Sequence, residues 1–271
     1  MFKLGVITDE ISQDVERAAA VSKEMGLDCI ELRGCWGKNI KDLTNAEVQR
    51  IKKIAKAAEL QVICLASPFF KCTIANEAEV KEHLDFLPRL AEMTKLFDAD
   101  IIRGFAFWST ENPAQHWEKA IMKLREAADI CEDEGIMLAL ENEHATLVGT
   151  GREARMAVDA VGSKSLRIVW DAGNAFCAGE IPCPEGYLQV RGDTVHVHVK
   201  DAVRDMATGK IRFVAVGTGE IDYRSQFKAL REDGYEGCVS IETHYRIQND
   251  GEKSTRETCA SLRGLLKTLN L

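Results

Sequence analysis

The sequence predicts an α/β fold, a single-domain (β/α)8 barrel over residues 1–271. Three observations predict it. Eight strand-like runs recur at intervals too long for hairpins. Helix-forming stretches fill those intervals, as repeated βα units require. Metal-competent side chains end successive strands, and a closed barrel gathers such ends at one mouth.

The strand runs are 2–8, 29–33, 61–66, 100–104, 136–141, 167–171, 194–199 and 238–243. Between the second and third, Thr44 and Glu47 have capping-box spacing, and Asn112 before Pro113 pairs an N-cap with proline at the first helical position. Gly26, Gly135 and Gly234 each follow a helix-forming stretch and precede a strand, the place for a left-handed C-cap. The helical stretch 75–97 contains Pro88 and is expected to kink or split there. His83 and His116 lie in helical stretches and are expected at the surface. After the seventh strand, RDMATGKIRFVAVGTGEIDY forms a long βα excursion with a short extra strand near 212–216 and a helix at 223–233. Excursions of that length are usually functional. Residues 254–269 read as the last helix.

A doubly wound sheet has the same alternation. It would concentrate its ligand at one switch point, commonly beside a glycine-rich loop after the first strand, and GVITDEIS has no such loop. The barrel is therefore preferred.

A net charge of −8 argues against broad electrostatic binding to nucleic acid or to an acidic membrane. No apolar run approaches the ~20 residues of a membrane helix, and MFKLGVITDE meets acid too early for a signal peptide, so the cytoplasm is the expected location. Nine cysteines include no CxxC pair, and several sit in apolar runs such as DCIEL, VICLAS and GCVSIE. They read as buried reduced thiols rather than a zinc or disulfide framework.

The chemistry centres on TVHVHVKD at 194–201, where a period of two puts His196, His198 and Lys200 on one face and valines on the other. Glu141 closes IMLALE, Asp171 closes RIVWD, and Glu242 lies near the end of CVSIET. Taken singly, each acid would read as a cap or an ion-pair partner. As an ordered set on strands five to eight, Glu141, Asp171, His198 and Glu242 read as one divalent-metal site, with His196 a hydrogen-bonded neighbour. Mostly oxygen ligands with one nitrogen favour Mn2+, with Mg2+, Co2+ and Zn2+ as alternatives. Such an ion would polarise a substrate carbonyl and stabilise an enediolate, while two carboxylates removed and returned the proton.

The motifs LEN at Glu141, WDAGN at Asp171, HVHVKD at His198, GTGEIDY at 217–223 and GYEGCVSIETHY at 234–245 resemble the xylose isomerase-like TIM-barrel superfamily. That superfamily comprises sugar phosphate isomerases and epimerases, with ketose 3-epimerases among its members, and the resemblance covers nearly the whole chain. It implies Glu141, Asp171, His198 and Glu242 as ligands, Glu141 and Glu242 as the acid/base pair, and Arg204 as a substrate contact. Asn174 stands where the ketose epimerases have histidine, and Lys200 with Asp201 replaces their glycine and glutamate. These departures leave a sugar acid, a phosphosugar or an inositol derivative open as substrate. Arg204 and His144 are the first expected substrate contacts, followed by Asn174, Lys200, Glu31 and Trp108; Arg33, Arg103, Phe105 and Phe107 are further mouth residues.

The leading expectation is a metal-dependent isomerase or epimerase of a small carbohydrate. The alternative is a metal-dependent dehydratase of an inosose- or dehydroshikimate-like compound. An AP endonuclease IV-like nuclease is disfavoured by six histidines in total and by net acidity, and a non-catalytic binding barrel by the intact ligand set. No nucleic-acid or membrane partner is expected, and a homo-oligomer is left open.

Overall fold

Closure of the sheet rests on its first strand, which pairs in parallel with both the second and the last. In the computed structural model, which describes residues 2–271, β1 (Lys3–Ile7) is flanked by β2 (Cys29–Leu32) and β8 (Cys238–Ile241). Between these run β3 (Gln61–Phe69), β4 (Ile101–Gly104), β5 (Met137–Glu141), β6 (Leu166–Asp171) and β7 (Thr194–Val199), each paired with its sequence neighbour. The result is the predicted closed eight-stranded parallel barrel with surrounding helices.

Strand parity divides the interior. Outward valines such as Val197 and Val199 join the large apolar core between sheet and helices. Inward positions carry a small separate cluster of Cys64, Ile101, Ala139 and Val169. Two residues further along their strands, the same inward parity presents Arg103, Glu141 and Asp171. The register sets Asp171 opposite His198 and Ser240 opposite His198 on the other side, so the chemical residues share one level.

Helix signals translate directly. Thr44 and Glu47 form the reciprocal capping box of α2 (Asn45–Ala57) after α1 (Val15–Glu24), and Pro113 opens α4 (Pro113–Glu134). The Asn112 side chain makes no capping bond. Gly26, Gly135 and Gly234 have φ of 67°, 66° and 67°, the left-handed conformation expected of them.

Other expectations are corrected. Helix α3 (Glu77–Leu96) is not split at Pro88, since buried Leu87, Leu90, Ala91 and Met93 hold both halves on the core as one element. Strand β3 continues three residues past Ala66. His83 is half-buried, its Nδ1 accepting the Phe70 N–H at 2.7 Å. Buried Cys29 and Cys238 bring their sulfurs close together, with Cα atoms 7.5 Å apart, wider than a disulfide spans without backbone movement. Both point inward at one level from the strands flanking Gly5, where a Cβ would lie 2.7 and 2.9 Å from the two sulfurs.

After β5 come α5 (Gly151–Val161), then, after β6, the short α6 (Ala172–Cys177) and α7 (Tyr187–Val190). The long excursion after β7 is an antiparallel pair, Asp201–Arg204 with Ile211–Val214, followed by α8 (Tyr223–Glu232). The chain ends on α9 (Gly251–Thr268), which starts three residues before the expected position because the Asp250 side chain caps it. Among the described residues, no helix is long and apolar enough to cross a membrane.

Candidate active site

The C-terminal strand ends bring Glu141, Asp171, His198 and Glu242 together, with one ligand atom from each lying within 4.8 Å of all the others. All four are buried. Their backbones are held by residues that follow the strands. Asn142 grips Asp171 twice, its Oδ1 accepting the Asp171 N–H and its Nδ2 donating to the Asp171 carbonyl, both at 2.8 Å. Asp171 Oδ1 in turn accepts from Asn174 N at 2.7 Å, capping α6.

Three carboxylates gathered out of water repel one another and need positive charge. Burial pushes the Asp171 carboxyl up to about 6 against the pull of the Lys200 ammonium, and Glu141 and Glu242 add to the rise. Against the same cost of burial, Arg103 and His198 hold Glu141 below the usual carboxylate range. Burial likewise opposes ionisation of Glu242, and Lys200 and His244 overcome it. Glu141 Oε2 and Asp171 Oδ2 are buried without a hydrogen-bond partner. Arg103 Nη1 at 3.2 Å and Lys200 Nζ at 3.0 Å are near them only as charges. Two orphaned carboxylate oxygens, a third carboxylate and an imidazole facing one point fit an oxygen-seeking divalent cation.

Lys200 lies inside this group. Its Nζ is 2.7 Å from Glu242 Oε2 and 3.0 Å from Asp171 Oδ2, and the side chain is 1% exposed. The stem passes against Gly173, where a Cβ would meet Lys200 Cγ at 2.4 Å. Tyr223 Oη donates to the Lys200 carbonyl at 2.7 Å and accepts its N–H at 3.1 Å, which fixes the backbone there.

Above these four residues, a cleft of about 180 Å3 is lined by Arg33, Lys71, Arg103, Glu143 and His244 among others. Arg33 spans its rim, donating to Asp9, to Glu10 at 2.6 Å and to Glu242 Oε1 at 2.8 Å. His144 is part-exposed, its Nδ1 2.9 Å from Glu143 Oε1 and 3.3 Å from Asn174 Oδ1. Asn174 is buried and donates to Glu141 Oε1 at 3.2 Å.

Three expected substrate contacts lie elsewhere. Arg204 turns away from the cleft, donating to the Phe176 carbonyl at 3.0 Å and stacking on that ring. Trp108 lies over Lys71 at 5.6 Å, outside the cleft lining. Glu31 is fully buried behind His198, since its inward parity on β2 places it below the mouth. Asn142, Glu143, Lys71 and His244 are not among the site residues expected from the sequence. Asn142 and Glu143 directly follow Glu141, and His244 is two residues past Glu242, so strand-end proximity was a usable signal for three of them; Lys71, beyond an unexpectedly long β3, had none.

A family model described as xylose isomerase-like TIM barrel matches residues 19–265. An inosose dehydratase of Clostridium perfringens (strain ATCC 13124) is 22% identical over 249 residues, covering 79% of this chain and 80% of its own. Among solved structures, a D-tagatose 3-epimerase-like protein superposes with a TM-score of 0.78 at 22% identity, covering 99% of this chain and 98% of its own. The probable 3-DHS dehydratase AsbF of Bacillus anthracis superposes with a TM-score of 0.77 at 17% identity, covering 97% and 98%.

Proposed function

The chain belongs to the xylose isomerase-like TIM barrel family, and on that premise we propose that it is a divalent-metal-dependent dehydratase of a small polyhydroxylated carbonyl compound. The dehydratase reading now precedes the isomerase or epimerase expected from the sequence. The observation that carries it is the 2.7 Å contact between Lys200 Nζ and Glu242 Oε2. The inosose dehydratase relative supports it.

Glu141, Asp171, His198 and Glu242 would hold the ion, with Mn2+ first among the candidates. When bound, such an ion supplies positive charge where the substrate carbonyl oxygen becomes negative. Glu242 takes the proton from the carbon beside the carbonyl. The Lys200 ammonium gives a proton to the hydroxyl one carbon further on, the C–O bond breaks, and water leaves as the double bond forms. Glu242 is then protonated and Lys200 neutral, and a proton passed back across their short contact restores both. Substrate positioning falls to Arg33, Lys71 and His244 in the cleft, with His144 beside it through Glu143. An inosose- or dehydroshikimate-like ring is the substrate class we favour.

A second reading, epimerisation, has its own support. Glu141 and Glu242 are both in the site, and two carboxylates can exchange a proton from opposite faces. Product mass separates the two. Incubating the protein with Mn2+ and a panel of polyhydroxylated carbonyl compounds should give a product lighter by one water, and chelator treatment should abolish it. Glu242→Gln should stop solvent-deuterium exchange at the substrate carbon. Lys200→Met should retain that exchange while slowing dehydration about 10²–10⁴-fold. Products of unchanged mass would replace dehydration by epimerisation, and full activity of metal-free protein would remove both readings.

A further inference from the structure

Behind the four ligands lies a buried polar group that the proposed reaction does not use. Glu31 on β2 and His196 on β7 are both 0% exposed, an environment in which each polar atom must have a reason to be there. Both Glu31 oxygens face His198 Nε2, Oε1 at 3.2 Å and Oε2 at 3.1 Å. Glu31 Oε1 also lies 2.7 Å from His196 Nε2. The two imidazoles stand at 88° to each other with centroids 5.2 Å apart, so both reach the same carboxylate without stacking. The backbone beneath is tied as well, since Thr8 Oγ1 donates to the Glu31 carbonyl at 3.1 Å. On the opposite edge of the same ring, His198 Nδ1 faces Glu141 Oε1 at 3.2 Å.

We infer that Glu31 is a positioning residue for the metal centre, holding the proton of His198 on Nε2 so that the Nδ1 lone pair is the ligand atom. An imidazole has two nitrogens, and the hydrogen bond made by one decides what the other can do. A carboxylate accepts only. With both its oxygens on Nε2, the N–H must be there, and ring rotation is blocked from behind. His196 serves the carboxylate in turn, donating to Oε1 so that Glu31 faces His198 in a single orientation. The expected role of Glu31 as a substrate contact is replaced by one directed at the ligand.

The inference rests on the reading of the four residues as a divalent-ion site, and the test keeps the two apart. Co2+ affinity, followed by the visible absorption of the bound ion, is measured for wild type and Glu31→Gln, with far-UV circular dichroism confirming the fold. Glu31→Gln should bind Co2+ about 10–100-fold more weakly. Glu31→Asp, which keeps the charge, should recover part of that loss, and kcat at saturating metal should change less than the metal affinity. Affinity of Glu31→Gln within twofold of wild type would overturn the inference. A long-range 1H–15N spectrum of Zn2+-loaded wild type gives a second measurement that needs no variant. A proton on His198 Nε2 supports the assignment, and one on Nδ1 overturns it. Wild-type protein with no affinity for Co2+ or Zn2+ would instead remove the metal site itself, and the inference with it.

Discussion

Glu143 carries its charge at the edge of the cleft because its neighbours overcome the cost of burial: His144 bonds it, and Lys200 and Lys71 add positive charge nearby. His144 responds in the opposite sense. Its bond to Glu143 raises its pKa from the ordinary 6.5, against partial burial. A raised histidine pKa contributes stability fully below pH 6.5, and that contribution is lost as pH rises through the higher folded-state value. The His144 side chain is 44% exposed, so screening keeps the pair to about 0.2–1 kcal/mol. His144→Gln should therefore be less stable than wild type at pH 5.5 and nearly equal to it at pH 9, measured by urea denaturation. A difference that grew with pH would contradict the pairing. At this scale the gathering of Glu141, Asp171, His198 and Glu242 was legible in the sequence, because strand parity and strand ends are written in the alternation of residues. It did not reveal where Arg204 and Glu31 point. Depth within the barrel and the choice of rotamer are decided by residues far away in the chain, such as Phe176 and His196.

Asp201 organises the longest βα excursion. Its carboxylate accepts the N–H groups of Ala202, Gly217, Gly219 and Ile221, gathering GTGEID against the strand end that carries Lys200. The motif is thus explained by backbone donors converging on one acid. Asp201→Ala leaves those donors without an acceptor and should cost about 2–3 kcal/mol in urea denaturation, with faster hydrogen exchange at Gly217 and Gly219. Unchanged exchange at both glycines would mean that the loop is held by other contacts. Elements of this kind were legible wherever a local rule decides the outcome, as in the Thr44 capping box, the left-handed glycines and the extra strand pairing with Asp201–Arg204. They were illegible where packing overrules a local rule. Pro88 removes a helix hydrogen bond, yet the apolar face around it keeps α3 whole. The approach of Cys29 to Cys238 was likewise invisible, because it depends on two strands that flank Gly5 from opposite sides.

For the whole molecule, the proposed site would make the ion a stabilising ligand as well as a chemical one, because it would offset the repulsion of buried carboxylates. At a free Mn2+ concentration about 100 times Kd, binding to the folded state alone adds about 2.7 kcal/mol. The melting temperature should then rise by about 5 °C over the chelator-treated protein in differential scanning fluorimetry. An unchanged melting temperature would count against the four-ligand site. The barrel itself was readable because the suspect residues ended successive strands instead of clustering at one crossover. The pairing of Lys3 with Cys238 has one more consequence, which concerns how the chain folds. Contacts so distant in sequence are slow to form and come late. Glu242, however, follows a strand whose other edge pairs with β7, Ser240 beside His198, so the four residues on β5–β8 can gather before the cylinder shuts onto β1. Intermediates in which β8 has not docked on β7 would offer at most three of the proposed ligands and gain little from the ion. On the proposed reading, metal uptake reports docking of the last strand on β7, and it selects those states over compact ones in which the last strand remains outside.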